Sequence, residues 1–161
     1  MATIKNKITP FLWFDNNLEE AVGFYTSVFK NSKVLNMSRC PEGSPMPKGT
    51  LMGATFELAG QQFQAINGGP HFKFTEAISL FVKCDTQQEI DELWEKLTAD
   101  GGVKSRCGWL KDKFGLSWQI VPPILGELLG DKDQKKASRV MAAMMKMDKI
   151  EISKLKEAYE E

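Results

Sequence analysis

Histidine is almost missing from this chain, which carries one, His71, among 161 residues. That scarcity argues against a metal site built on imidazoles and against a relay of histidines moving protons. Cysteine is scarce too. Cys40, Cys84 and Cys107 are odd in number, lie far apart and form no CxxC, so neither a disulfide framework nor a zinc knuckle fits and reduced thiols are expected. No sign of charge dominates, because 21 Lys and Arg offset 21 Asp and Glu. Without a global field to draw polyanions or an anionic bilayer, no nucleic acid and no membrane is expected as partner, which leaves small molecules or another protein. Apolar runs of about 18 residues are absent, and Met1–Lys5 lacks the apolar stretch of a signal peptide, so a cytoplasmic protein is expected.

What is present suits a single domain with a sizeable core, at 42% hydrophobic residues. Ile8–Phe14 reads as a strand closed by Asp15-Asn16-Asn17, a turn and helix-cap signal, and Leu18–Phe29 follows as a helix with Ala21, Phe24, Tyr25 and Val28 on its apolar face. Lys33–Cys40 reads as a strand. The proline-rich segment Pro41–Gly49 cannot continue it. Thr50–Leu58 and Gln61–Asn67 make a hairpin around Ala59-Gly60, and Asn67-Gly68-Gly69-Pro70 breaks the pattern. A second series begins with Ala77–Cys84 as a strand and Gln87–Ala99 as a helix, burying Ile90, Leu93, Trp94 and Leu97 and ended by Gly101-Gly102. Short strands follow at Cys107–Leu110 and Leu116–Val121, and Pro122-Pro123 stops the last. From Asp133 to Glu161 the pattern is helical, first with Ala137, Val140, Met141 and Met144 on one face, then with Ile152, Leu155 and Tyr159.

The two series repeat one another. Ile8-Thr9-Pro10-Phe11-Leu12-Trp13-Phe14-Asp15 lies over Ile78-Ser79-Leu80-Phe81-Val82-Lys83-Cys84-Asp85 with isoleucine, hydroxyl, phenylalanine and aspartate in step. Gly60-Gln61-Gln62-Phe63-Gln64-Ala65-Ile66 matches Gly115-Leu116-Ser117-Trp118-Gln119-Ile120-Val121 as glycine, two variable residues, an aromatic, glutamine and two aliphatics. Two matches in the same order indicate a duplicated βαβββ module. With this plan, the segments ITPFLWFD, EEAVGFYTSVF, INGGPHFKF and CGWLKDKFGLSWQIVP make the chain resemble the vicinal-oxygen-chelate superfamily of glyoxalases, bleomycin-resistance proteins and extradiol dioxygenases. Within it they are similar to the PhnB-like, 3-demethylubiquinone-9 3-methyltransferase-like subgroup, over about Ile8–Met147.

That resemblance implies an α+β fold in which two βαβββ modules, residues 8–68 and 77–122, form a curved mixed sheet within a domain of residues 1–130. A helical C-terminal tail, residues 131–161, would pack on the domain or its partner, and the chain would form a homodimer. Metal-binding members take four ligands from the first and last strands of each module, positions that carry Thr9, Gln64, Ser79 and Gln119 here. Two hydroxyls and two amides make a weak neutral donor set, so no metal and no other cofactor is expected. Strand alternation places Phe11 and Trp13 with Thr9, and Phe81 with Ser79, on the cavity side. Thr9, Phe11, Trp13, Gln64, Ser79, Phe81 and Gln119 are thus the candidate ligand-binding residues, forming one pocket for a small, partly apolar organic molecule.

Blander readings stand beside each assignment. The aromatics serve equally well as sheet interior, and Gln64 and Gln119 as structural hydrogen-bonding pairs. His71 is a general-base candidate by chemistry, yet a loop histidine by position. The cysteines have no histidine near them in sequence to activate a thiolate, and the tail methionines read as packing. Catalytic residues are therefore unassigned. The alternative to a binding protein is an enzyme of the superfamily's lyase, isomerase or dioxygenase type. Methyl transfer ranks last, since no glycine-rich loop joins a strand to a helix for S-adenosylmethionine.

Overall fold

The computed structural model describes residues 7–161, so the reading of Met1–Lys5 lies outside the described residues. The chain divides into two compact units, Met1–Lys73 and Phe74–Glu161. In the first unit β1 (Phe11–Phe14), α1 (Leu18–Val28), β2 (Lys33–Arg39), β3 (Leu51–Leu58) and β4 (Gln61–Asn67) follow in βαβββ order. Its four-stranded sheet runs β1-β4-β3-β2, with β1 parallel to β4 and the other pairs antiparallel. α1 covers one face, where Leu12, Phe14, Phe56, Phe63 and Ala65 are buried with Ala21, Val22 and Tyr25. Each such side chain contributes roughly 1.5–3 kcal/mol if aliphatic or aromatic and fully buried. β1 is shorter than Ile8–Phe14 because Pro10 has no N–H for the ladder, although its carbonyl still accepts from Gln64 N at 3.0 Å. Asn17 does not cap α1 with its side chain. Asn67 does so instead, accepting from Leu18 N at 3.0 Å while its amide nitrogen donates to the Leu51 carbonyl at 2.9 Å.

The second unit repeats the order with β5 (Ser79–Lys83), α2 (Gln87–Thr98), β6 (Val103–Lys104), β7 (Trp109–Lys111) and β8 (Ser117–Val121). Its sheet runs β5-β8-β7-β6, again with the first and last strands parallel. Two four-stranded mixed sheets thus carry the α+β fold. Thr86 caps α2 by accepting from Glu89 N, and the Glu89 carboxylate accepts from Asp85 N just ahead of the cap. β7 starts at Trp109 rather than Cys107, because Cys107 and Gly108 take left-handed backbone, φ 58° and 83°. A side chain at Gly108 would also meet the Ile120 carbonyl at 2.8 Å.

Three helices complete this unit: α3 (Pro123–Leu129), α4 (Gln134–Met144) and α5 (Ile152–Glu160). The proline pair ends β8 as expected and also begins α3, with Pro123 at a position where its missing N–H costs nothing. Leu125, Val140, Met147, Ile150 and Leu155 form a buried cluster with Val121. Met141 and Met145 do not join it and are exposed, although the periodicity placed Met141 on the packed face. The segment between α4 and α5 is tied down by Cys107 N to the Met147 carbonyl at 2.8 Å and Gly108 N to the Asp148 carbonyl at 2.7 Å. Gln87 brackets the start of α5, donating to the Ile150 carbonyl and accepting from Ile152 N. Among the described residues no helix is long and apolar enough to cross a membrane.

Candidate functional site

Each sheet has one face on its helix, and alternation sends every second residue to the other. On β1 that other face receives Phe11 and Trp13, and on β4 it receives Gln62, Gln64 and Ile66. Phe11 lies opposite Gln64 and Trp13 opposite Ile66 across the parallel pair. In the second unit Ser79 lies opposite Ser117 and Phe81 opposite Gln119. The repeat read from sequence is therefore a repeat in register, with Phe11 beside Gln64 as Phe81 is beside Gln119. Both phenylalanines are 55% exposed, an unusual state for rings on a sheet. Thr9 precedes β1, two residues before Phe11, as Ser79 precedes Phe81. Phe11, Trp13 and Gln64 with Thr9 make one half of the candidate set, and Ser79, Phe81 and Gln119 the other.

The halves differ in their polar chemistry. Gln119 donates through Nε2 to Ser79 Oγ at 2.8 Å, so this amide is partly committed inside its own sheet. Among the described residues no group bonds the Gln64 amide. Two polar residues on these faces, Gln62 and Glu57, were not singled out from sequence, whereas strand alternation puts Ser117 with Gln119 on the cavity side. Among the described residues, Gln62 is 2% exposed with neither amide atom partnered, and Ser117 is fully buried with its hydroxyl unpartnered. They occupy equivalent places in the two repeats. Glu57, buried on β3, stands in register with Gln62. The duplication could have pointed from Ser117 to Gln62, but the two differ in residue type, so Gln62 fell among the variable positions.

Trp13 is held from the loop after β4. Its indole Nε1 donates to the Gly69 carbonyl at 2.8 Å, and Phe72 meets its ring edge-on at 4.9 Å between centroids. Gly68 lies so close beneath the indole that any side chain there would overlap it. The Gly68-Gly69 pair is thus a seat for Trp13 rather than a phosphate loop. His71 rides on the same loop and is exposed.

The cysteines sit outside the candidate set. Cys84 is buried, and burial, followed by the carboxylates of Glu89 and Asp85, pushes its thiol up to about 12. Cys107 points its sulfur at the Met144 carbonyl, 3.7 Å away. A cavity of about 860 Å³ lies among Arg106, Arg139, Met147, Glu151 and Lys154 in the tail, and none of the seven candidates lines it. Around it Lys154 pairs with Glu151, Lys149 pairs with Asp91, and Arg139 donates to the Ala158 and Tyr159 carbonyls.

The donor set does not fit a transition metal. Gln119 turns its nitrogen to Ser79, phenylalanines stand beside both glutamines, and among the described residues no three of His, Cys, Asp or Glu converge. A nucleotide-like methyl donor fits no better, since the strand-to-helix turns Asp15–Asn17 and Asp85–Thr86 contain no glycine.

Residues 6–121 match the model of the 3-demethylubiquinone-9 3-methyltransferase family. No curated protein matches the chain. Among solved structures, a PhnB protein from Bacillus cereus, described as a 3-demethylubiquinone-9 3-methyltransferase, is 42% identical, with a TM-score of 0.68 over 73% of this chain and 99% of that one. A Pseudomonas aeruginosa protein shares the fold at 22% identity and a TM-score of 0.60, over 73% of this chain and 98% of its own. So does the fosfomycin resistance protein FosX from Listeria monocytogenes, complexed with Mn(II) and sulfate, at 18% identity and 0.54, over 73% and 92%. The two in-register modules and these matches place the chain in the 3-demethylubiquinone-9 3-methyltransferase family, a PhnB-like branch of the vicinal-oxygen-chelate superfamily.

Proposed function

We propose that this PhnB-like protein binds a small, partly apolar organic molecule without the help of a metal, through Thr9, Phe11, Trp13, Gln64, Ser79, Phe81 and Gln119. One observation carries the reading: an exposed phenylalanine stands directly beside a glutamine at the same register position of both sheets. An aromatic ring left half in water next to an amide is the lining of a site for a ligand with an apolar body and a few neutral polar atoms. FosX carries Mn(II) on a related fold. The hydroxyls and amides of the candidate set here favour hydrogen bonding over coordination. The protein is read as a cytoplasmic homodimer. Strands β1 and β5 each end their sheet's order, and Ile8 and Ile78 just ahead of them are 87% and 74% exposed.

Native mass spectrometry of untagged protein tests metal and ligand together. An organic molecule released on denaturation, with no stoichiometric metal, is the expected result. One tightly held transition metal per chain would restore the superfamily's lyase, isomerase or dioxygenase chemistry and overturn the reading.

A further inference from the structure

The tail gives the second unit a cavity for which the family match does not account. Its volume is about 860 Å³, and every residue lining it except Arg106 lies beyond residue 121, where that match ends. α4 and α5 form its walls, with Arg139 of α4 donating to the Ala158 and Tyr159 carbonyls near the end of α5. Cys107 N on the Met147 carbonyl brings Arg106 to the opposite end, where Lys146 follows the last turn of α4. The uncharged lining is small and apolar, from Ala142, Ala143, Met147 and Ala158.

Charge divides along this cavity. Lys154 closes on Glu151, and Lys149 turns away to Asp91. Arg106 and Lys146 at one end, and Glu157 and Glu161 at the other, have no ion-pair partner among the described residues. Glu157 and Glu161 also stand at the i, i+4 spacing at which like charges repel on a helix. Asp148 offsets one charge of the first pair and Arg139 one of the second, which leaves a surplus of opposite sign at each end. From Glu151 to Glu161 the helical rise amounts to about 15 Å, too far for one small ion to answer both ends. An extended chain covers that distance in about four or five residues.

We propose that this cavity is a docking groove for an extended peptide segment of another protein. The segment carries acidic side chains for Arg106 and Lys146 and, about four residues away, basic ones for Glu157 and Glu161. The alanines let its backbone lie close against both helices. This goes beyond the ligand-binding reading above and does not depend on it.

The test is titration of the full, isotope-labelled chain at low salt with end-blocked hexapeptides, followed through the amide NMR signals of Ala142, Ala143 and Ala158. Glu-Glu-Ala-Ala-Lys-Lys should bind about fivefold or more tighter than Glu-Lys-Ala-Ala-Glu-Lys, which has the same composition but no separated ends. High salt should remove the difference. Arg106→Glu combined with Lys146→Glu should transfer the preference to Lys-Lys-Ala-Ala-Lys-Lys, and Glu157→Lys combined with Glu161→Lys should transfer it to Glu-Glu-Ala-Ala-Glu-Glu. All four residues are exposed, and a gain of binding cannot arise from a chain that fails to fold. Equal binding of the separated and alternating peptides, a preference of the unaltered chain for a peptide of one sign, or no response at the three alanines overturns the proposal. So does sedimentation in which either charge exchange splits a dimer of the unaltered chain, because the groove then holds a second copy.

Discussion

Gly68 shows how one absent side chain can set a site. The Trp13 indole occupies the space a methyl group would need, and the same indole bonds the next carbonyl, at Gly69. Gly68→Ala should therefore destabilise the protein by about 1–3 kcal/mol and shift tryptophan emission, as the ring is lifted from its bond. Denaturant melts followed by fluorescence measure both. Asp112 is the opposite case, a 2% exposed carboxylate accepting from Phe114 N, Leu116 N and Trp118 Nε1. Asp112→Ala leaves buried donors unpaired and should cost at least about 2 kcal/mol, read as a lowered melting temperature. Cys84, with its thiol held near 12, should resist iodoacetamide at pH 8 in the folded protein and react once unfolded, which intact-mass spectrometry reports. At this scale the sequence was legible where the repeats kept identity. Phe11 with Phe81, and Gln64 with Gln119, were found that way. Burial of an amide leaves no mark in a one-dimensional pattern, so Gln62 was not.

Helix and strand types were readable because their periods differ, and the main errors fell on the shortest pieces. β6 has two residues, too few for alternation to register, and α3 was missed because a proline pair reads as a stop before it reads as a helix start. The tail divides into α4 and α5 at a segment fastened by backbone bonds to Cys107 and Gly108, partners that no local pattern reveals. α5 has a polar latch, Tyr159 Oη donating to Asp131 Oδ2 at 2.8 Å with Lys136 over the ring. The Asp133 N–H and then the Tyr159 hydroxyl hold the Asp131 carboxyl below its ordinary range. Its contribution is therefore present above the unfolded carboxylate value and is lost as pH falls through the lowered folded one. The Asp131 bond, burial and then neighbouring acids raise the Tyr159 phenol. That contribution holds below the unfolded tyrosine value and is lost as pH rises through the raised one. Tyr159→Phe should accordingly speed amide exchange in α5 equally at neutral and mildly acid pH, with no added effect at either extreme where the wild-type latch has already opened.

For the whole molecule, the family match stops at residue 121, whereas the core of the second unit does not. Val121 is buried against Leu125, Val140, Ile150 and Leu155, all beyond it. A chain cut after residue 122 keeps every strand but loses burial worth about 1.5–3 kcal/mol for each aliphatic side chain. It should lose cooperative melting by circular dichroism. Light scattering at micromolar concentration should return twice the 18.1 kDa chain mass, and the chain mass alone would remove the homodimer.

The dependence of the second module on helices that follow its sheet also bears on how the protein is made. The first module has all four of its strands and its helix by Asn67, so it can close while the rest is still being synthesised. The second cannot, because its cluster needs Ile150 and Leu155, which follow β8 only after α3 and α4. At roughly 5–20 residues per second, several seconds separate the two events. During that interval Val121 at the end of β8 lacks its closing cluster, and this half of a duplicated protein is where a chaperone would act.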